Sequence, residues 1–274
     1  MKTAILLVLS GMAMPPAGAQ SLRYSMAQPS IGLSAYSGQQ HHPLSFTGNQ
    51  AVLAQQKGAG AGIYGERRFM LAEMGRYTAG ISLPTRLGNI GIQMNYAGFK
   101  NFNEHSIGLA YARRLGSVVD VGLQFNYYGY RIPAYGNAST ICAEIGTILH
   151  VTDRLQTGLH VYNPVGGRIG KNKAEKLASA YTFGLGYDAS DHFFIGAAIR
   201  KEEDKPVNVI AGLEYHVAKR FFIKAGFLSE SATAYAGAGI GWKNIRLDIS
   251  AAYHPQLGFS PGILLFMPFK KTAE

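Results

Sequence analysis

Ile245-Arg246-Leu247-Asp248-Ile249-Ser250-Ala251-Ala252-Tyr253-His254 alternates between large apolar residues and polar or small ones. A period of two over this length marks a strand, because successive side chains leave opposite faces of an extended backbone. The same alternation runs through residues 207–216, 119–128, 90–97 and 180–187. One row is bulky in each, as in Val119, Val121, Leu123, Phe125 and Tyr127; the other, here Asp120, Gly122, Gln124, Asn126 and Tyr128, is mostly polar or very small. A soluble sandwich packs its interior densely, and rows of Gly, Ala, Ser and Asn do not fill one. Turned inside out the pattern makes sense: the bulky row meets hydrocarbon and the polar or small row encloses a lumen.

Outward from that stretch, about fourteen such segments run between Gly58 and Phe269. The gaps joining them are alternately tight (Thr85–Gly88, Gly116–Ser117, Thr152–Asp153, Ser190–Asp191, Ala218–Lys219, Lys243–Asn244) and longer. The longer ones are Glu66–Glu73, Lys100–Asn103, Arg131–Asn137, Pro164–Leu177, Lys201–Lys205, Ser229–Ser231 and His254–Ser260. This rhythm predicts an all-β fold: a closed, antiparallel, up-and-down transmembrane β-barrel over residues 58–269, with a C-terminal tail at 270–274. No apolar run after the N-terminus reaches the ~18–20 residues of a spanning helix, and a barrel is the other structure that satisfies every backbone group in lipid. Aromatic groups near the turns (Tyr127, Tyr128 and Tyr130; Tyr187, Phe193 and Phe194; Phe221 and Phe222) read as boundary girdles.

The first nineteen residues combine a basic start at Lys2, an apolar run at Ala4–Leu9 and small residues at Ala17-Gly18-Ala19. They read as a secretory signal peptide, 1–19, with Gln20 the first mature residue, and the expected location is the cell outer membrane. Residues 20–57 form an irregular segment lying inside or beneath the barrel. At its end a short helix is expected over 49–57, with Asn49 as cap, Ala51, Leu53 and Ala54 within it, Lys57 at its negative end and Gly58 closing it. Cys142 is the one cysteine, so no intrachain disulfide forms.

The net charge is +10, from 26 basic and 16 acidic residues. The cations are scattered, often at strand ends (Arg113, Arg114, Arg154, Arg220, Lys243), and lack the clustering a phosphate backbone demands. Nucleic acid is therefore set aside as a partner. Cations beside anionic headgroups fit the distribution, making outer-membrane lipid and lipopolysaccharide the expected surroundings. Lumen-facing candidates by parity are Gln93, Asn95, Gln124, Asn126, Glu144, Arg200, Asn208, Glu214, Lys224, Arg246 and Asp248. Their mixed signs point to a cross-lumen ion-pair lattice in a plugged barrel or to a wet pore.

No catalytic, cofactor or metal constellation is read. Gly60-Ala61-Gly62-Ile63-Tyr64-Gly65 has dinucleotide-type glycines, but a period-two segment contains them and no strand–helix unit surrounds them. Gly167-Arg168-Ile169-Gly170-Lys171 lacks the spacing and the hydroxyl of a phosphate loop. The eight histidines are dispersed. No Gly-x-Ser-x-Gly elbow occurs; a barrel lipid hydrolase or acyltransferase using a dispersed Ser and His is the weakest alternative.

With signal peptide, irregular stretch, short helix and strands in that order, the chain resembles the long-chain fatty-acid transporter family of outer membranes. It is also similar to that family's Bacteroidetes relatives, the PorV and PorQ proteins of the type IX secretion system. The local match is Asn49-Gln50-Ala51-Val52-Leu53-Ala54 against Asn-Pro-Ala-Gly-Leu-Ala, with Gln50 replacing Pro and Val52 replacing Gly. The resemblance implies a barrel with an N-terminal hatch. In the transporters hydrophobic ligands leave sideways through a wall gap; in the type IX proteins the barrel handles or docks exported proteins. Short outer loops favour the second role, a non-enzymatic barrel supporting protein secretion or surface attachment, with secretion-system proteins as partners. The alternative is a transporter or pore for small hydrophobic solutes such as fatty acids.

Overall fold

The computed structural model describes residues 29–133, 136–170 and 175–269. The expected signal peptide, the start at Gln20 and the tail 270–274 lie outside the described residues.

The strands are β1 (Gly60–Arg67), β2 (Gly75–Pro84), β3 (Asn89–Phe99), β4 (Phe102–Leu115), β5 (Val119–Ile132), β6 (Gly136–His150), β7 (Leu155–Tyr162), β8 (Arg168–Ile169), β9 (Glu175–Lys176), β10 (Ala180–Ser190), β11 (Phe193–Glu202), β12 (Asn208–Ala218), β13 (Phe221–Leu228), β14 (Thr233–Trp242), β15 (Ile245–His254) and β16 (Gly258–Pro268). Fourteen of them close one antiparallel barrel, with β1 paired to β16 and β7 to β10. The remaining two, β8 and β9, form a hairpin inside the loop after β7, which alternation does not reveal because each has two residues.

The bulky rows point out. Phe125, Ile141 and Ile249 are 61%, 68% and 59% exposed, and similar residues ring the whole wall. So continuous an apolar surface suits lipid rather than water. No helix among the described residues is long and apolar enough to cross a membrane. The tight turns fall where the spacing put them, and both barrel termini emerge at that same end. Lys100–Asn103 is a correction: β3 pairs with β4 up to Phe99↔Phe102, leaving a tight Lys100-Asn101 turn. Gly98, just before this turn, has φ +103°, and a Cβ there would collide with the carbonyl oxygen of Phe102. The aromatic groups also divide. Tyr127, Tyr187 and Phe221 face outward, whereas Tyr128, Phe194 and Phe222 are buried inside, since adjacent strand residues cannot share a face.

The core lies inside the barrel and is filled from the N-terminal side. Pro29–Leu33 is a five-residue α-helix (α1), with Pro29 at its first position where a missing N–H costs nothing. It runs directly into a 3₁₀ turn, Ser34–Tyr36, and a second follows at Ser45–Thr47. The helix expected over 49–57 is a 3₁₀ helix, Gln50–Gln55. Its cap is Asn49, but Lys57 and Gly58 lie beyond it: the run ends at Gln56 in extended backbone and leads straight to β1. Around the wall, Tyr36, Phe46, Val52 and Leu53 pack on Ala110, Ala112 and Ile148; Ile31 and Leu44 on Tyr64, Leu264 and Phe266; and Leu33 on Phe194, Ala198 and Ile210.

Mid-strand glycines give this hatch its seat. A Cβ on Gly122 would stand 2.6 Å from the backbone nitrogen of Ala51. One on Gly146 would strike the Asn49 amide, and one on Gly184 the Tyr36 ring. Any side chain there would force the hatch off the wall.

Candidate functional site

The seam between hatch and wall is built first on Asn49. Its Oδ1 accepts from Ala51 N at 3.0 Å, capping the 3₁₀ helix. Its Nδ2 donates to the carbonyls of Thr147 and Leu159, on β6 and β7, at 3.1 and 3.3 Å. The amide reaches the sheet backbone because Gly146 and Gly158 clear the way. At the other end of this helix, Asn89 of β3 donates its amide to the carbonyls of Leu53 and Gln56. Both ends of the Gln50–Gln55 helix are thus terminated by groups that also fix it to the barrel. Ala51 and Leu53 are fully buried, and Ala54 is half-buried.

Next along the seam is Glu144, buried on β6. Its Oε1 accepts from Asn126 at 2.6 Å and Gln124 at 3.2 Å. Its Oε2 accepts from Gln50 of the hatch and meets His160 Nε2 at 2.8 Å. Four polar contacts surround one carboxylate, which is what a carboxylate away from water requires. Gln93 and Asn95 are buried on β3 alongside, with Asn95 bonded to Thr78 and Ser106.

A second anchor lies near the tight-turn end. Ser37 Oγ donates to Asp188 Oδ1 at 2.6 Å and Gly38 N to Oδ2 at 2.8 Å. On the β16 side of the hatch, His42 is stacked on Phe266 with ring centroids 4.9 Å apart. Burial pushes the His42 imidazole well below its ordinary value and lowers His41 in the same direction.

The wall β12–β15 is of another kind. Lys224 pairs with Asp248 at 2.8 Å, Arg246 with Asp248 at 3.0 Å and with Glu214 at 2.7 Å, and His216 with Glu214 at 3.1 Å. The Arg246 guanidinium also lies over the Phe222 ring, 3.3 Å from its centroid. Gly237 and Gly239 on β14 leave the floor over which these side chains reach from β13 to β15; a Cβ on Gly239 would collide with Phe222. These four ion pairs follow one wall, where a lattice across the lumen is one of the two expected arrangements. The hatch occupies the axis that cross-lumen pairs would need. Asn208 is buried on β12 near Ser229 and Glu230, and Arg200 is half-buried on β11.

At the opposite end the described part of the loop after β7 folds inward. Ile169 and Leu177 pack on Ala97, Tyr128, Cys142 and Tyr162. Asn163 holds the loop, donating to Leu177 O at 2.6 Å and accepting from Gly167 N at 2.9 Å.

Ser34 and His42 are the nearest approach to a nucleophile and base, with Oγ and Nε2 at 3.4 Å. His42 Nδ1 accepts from Leu44 N at 3.2 Å, so the ring proton sits on Nε2, which then has no lone pair to take a proton from Ser34. Ser34 is itself committed to Ile31 O. No metal-type cluster occurs among the described residues.

On the outer wall an apolar groove of about 530 Å³ runs across β15, β16 and β1–β3. Ile63, Tyr77, Met94, Tyr96, Leu247 and Ile263 border it, and the small residues Gly65 and Ala79 form its floor. The ladders beneath are paired throughout, so at this place the wall is dented, not open.

The seam residues Ser37, Asn89, His160 and Asp188 were not singled out from sequence. Asn89, His160 and Asp188 share inward parity with residues that were, so the parity argument applied to every strand would have found them. Ser37 lies in a stretch with no period.

No protein-family model and no curated protein matches the chain. Solved structures do. The P. putida toluene transporter TodX aligns with TM-score 0.63 and 8% identity, covering 83% of this chain and 94% of its own. The Ralstonia pickettii toluene transporter TbuX aligns at 0.61 with 11% identity, covering 84% and 94%. A Pseudomonas aeruginosa FadL homologue aligns at 0.57 with 10% identity, covering 86% and 95%. At such identities the likeness is one of fold: the fourteen-stranded barrel of outer-membrane transporters.

Proposed function

We propose that this chain is a non-enzymatic outer-membrane barrel that carries small apolar solutes, such as monoaromatic hydrocarbons or fatty acids, across the membrane. The observation that supports this most is the N-terminal segment seated inside a closed barrel by hydrogen bonds and glycine clearances. A lumen filled by a segment held through hydrogen bonds suits occasional passage of a solute better than a permanently wet pore. The apolar groove beside β1 adds a surface on which such a solute can enter or leave the hydrocarbon layer. The fold shared with two toluene transporters and a FadL homologue supports solute transport over the secretion role implied by PorV and PorQ.

Uptake of a labelled long-chain fatty acid or monoaromatic hydrocarbon by cells with and without the barrel tests the reading. Faster uptake with the barrel present is expected. Equal uptake, combined with recovery of exported proteins on the barrel from native membranes, would replace it with the secretion role.

A further inference from the structure

Some rim cations are answered by carboxylates and some are not; at the tight-turn end Arg114 is taken by Asp120. At the long-loop end Lys176 pairs with Glu203 and Lys205 with Glu202. Lys201 donates to the carbonyls of Glu203 and Lys205. At the tight-turn end Lys219, Arg220 and Lys243 are exposed, and among the described residues no ion pair joins them to a carboxylate. The two turns that carry them are neighbours: Gly241 N donates to Arg220 O at 2.8 Å, and Phe221 pairs with Ile240. The carboxylates of the flanking strands, Glu214 and Asp248, face inward and are taken by Lys224, Arg246 and His216.

Beside these cations lies an outward apolar belt. Val217, Phe221 and Trp242 are 58%, 55% and 68% exposed. A cation directly above exposed aromatic and aliphatic surface matches the order of a lipid, with phosphate above acyl chain. Arg86 and Arg113, exposed near Leu87, repeat the arrangement elsewhere on the same rim.

We propose that the tight-turn rim centred on Lys219, Arg220 and Lys243 binds the anionic headgroups of glycerophospholipids in the leaflet around it. This rests on the membrane reading above, and the experiment separates the two. Trp242 is the chain's single tryptophan and sits in the patch. The barrel is folded into vesicles containing brominated phosphatidylglycerol or brominated phosphatidylcholine, and quenching of Trp242 gives the relative binding of each lipid. A preference of about fivefold for the anionic lipid is expected at low salt, the size of one cation–headgroup contact. It falls toward one as salt is raised. In a Lys219→Gln, Arg220→Gln, Lys243→Gln variant it is close to one at all salt concentrations. The salt titration of the unaltered protein decides the matter if that variant does not fold. Equal quenching by both lipids at low salt overturns the proposal and leaves the rim to an acidic soluble partner. No quenching by either lipid means Trp242 does not touch a bilayer, and the membrane reading falls with it.

Discussion

The two polar regions inside the barrel look alike in composition and differ in what they hold. On the β5–β7 wall, the Glu144 carboxylate divides its contacts between the barrel (Gln124, Asn126, His160) and the hatch (Gln50). On the β12–β15 wall every one of these charges is answered from within the wall: Lys224 and Arg246 by Asp248, and Glu214 by Arg246 and His216. Buried charges cost several kcal/mol each unless paired, so the second wall meets that cost without reference to the hatch. The first is complete only while Gln50 is in place. The division locates where wall and hatch depend on each other. Withdrawing the hatch leaves unpaired amides and two under-coordinated carboxylates, Glu144 and Asp188, outside the β12–β15 wall, and changes no ion pair within it.

The comparison is tested most strongly at Lys224. Lys224→Met leaves buried Asp248 with Arg246 alone and is expected to cost about 3–5 kcal/mol of barrel stability. Urea unfolding in detergent micelles, followed by the gel-mobility shift of the heated barrel, measures it. Protection of the hatch amides should be unchanged; if it collapses together with the barrel, the walls are not independent. Gln50→Ala works from the other side. It removes one donor from Glu144, a loss of about 1–3 kcal/mol, and should raise hydrogen exchange across residues 45–56 while the urea midpoint of the barrel stays put. A shift of that midpoint equal to the loss of hatch protection would erase the distinction.

The gentlest test is pH. His42 is held neutral by burial, so its folded value lies below the ordinary 6.5. A depressed histidine contributes stability that is fully present above its unfolded value and is lost as pH falls through the folded one. Hatch protection is therefore expected to weaken gradually below about pH 6.5, with His41 acting in the same direction. His42→Gln should flatten that part of the profile. A pH-independent exchange pattern in the unaltered chain would show that His42 does not report on docking.

Alternation alone carried most of the barrel. Ile245–Tyr253, Val119–Tyr127 and the rows like them point outward because a strand has only two faces and lipid accepts only one kind of side chain. Local chemistry also announced the Asn49 cap, since a side-chain acceptor before an unpaired helix end has the same use in any fold. Where two readings of one composition competed, sequence was a poorer guide. Lys100-Asn101 looks like loop and is a tight turn because β3 and β4 pair to their ends. Tyr127 and Tyr128 look like one girdle and lie on opposite sides of the wall. The hatch was the least legible part. Its residues 29–48 have no period, because short 3₁₀ turns packed on all sides have no single buried face.

The order of bulky and small residues determined by itself that this chain makes strands, which side of each meets hydrocarbon, and which side chains turn inward, because strand periodicity is a local property. Only the tertiary structure decided that Gly122, Gly146 and Gly184 are a seat rather than weak points, that Gln50 completes Glu144, and that Lys224, Arg246, Asp248 and Glu214 pair along one wall. Those facts depend on which residues meet after the barrel closes, and residues as far apart as Ser37 and Asp188 carry no mark of each other until it does.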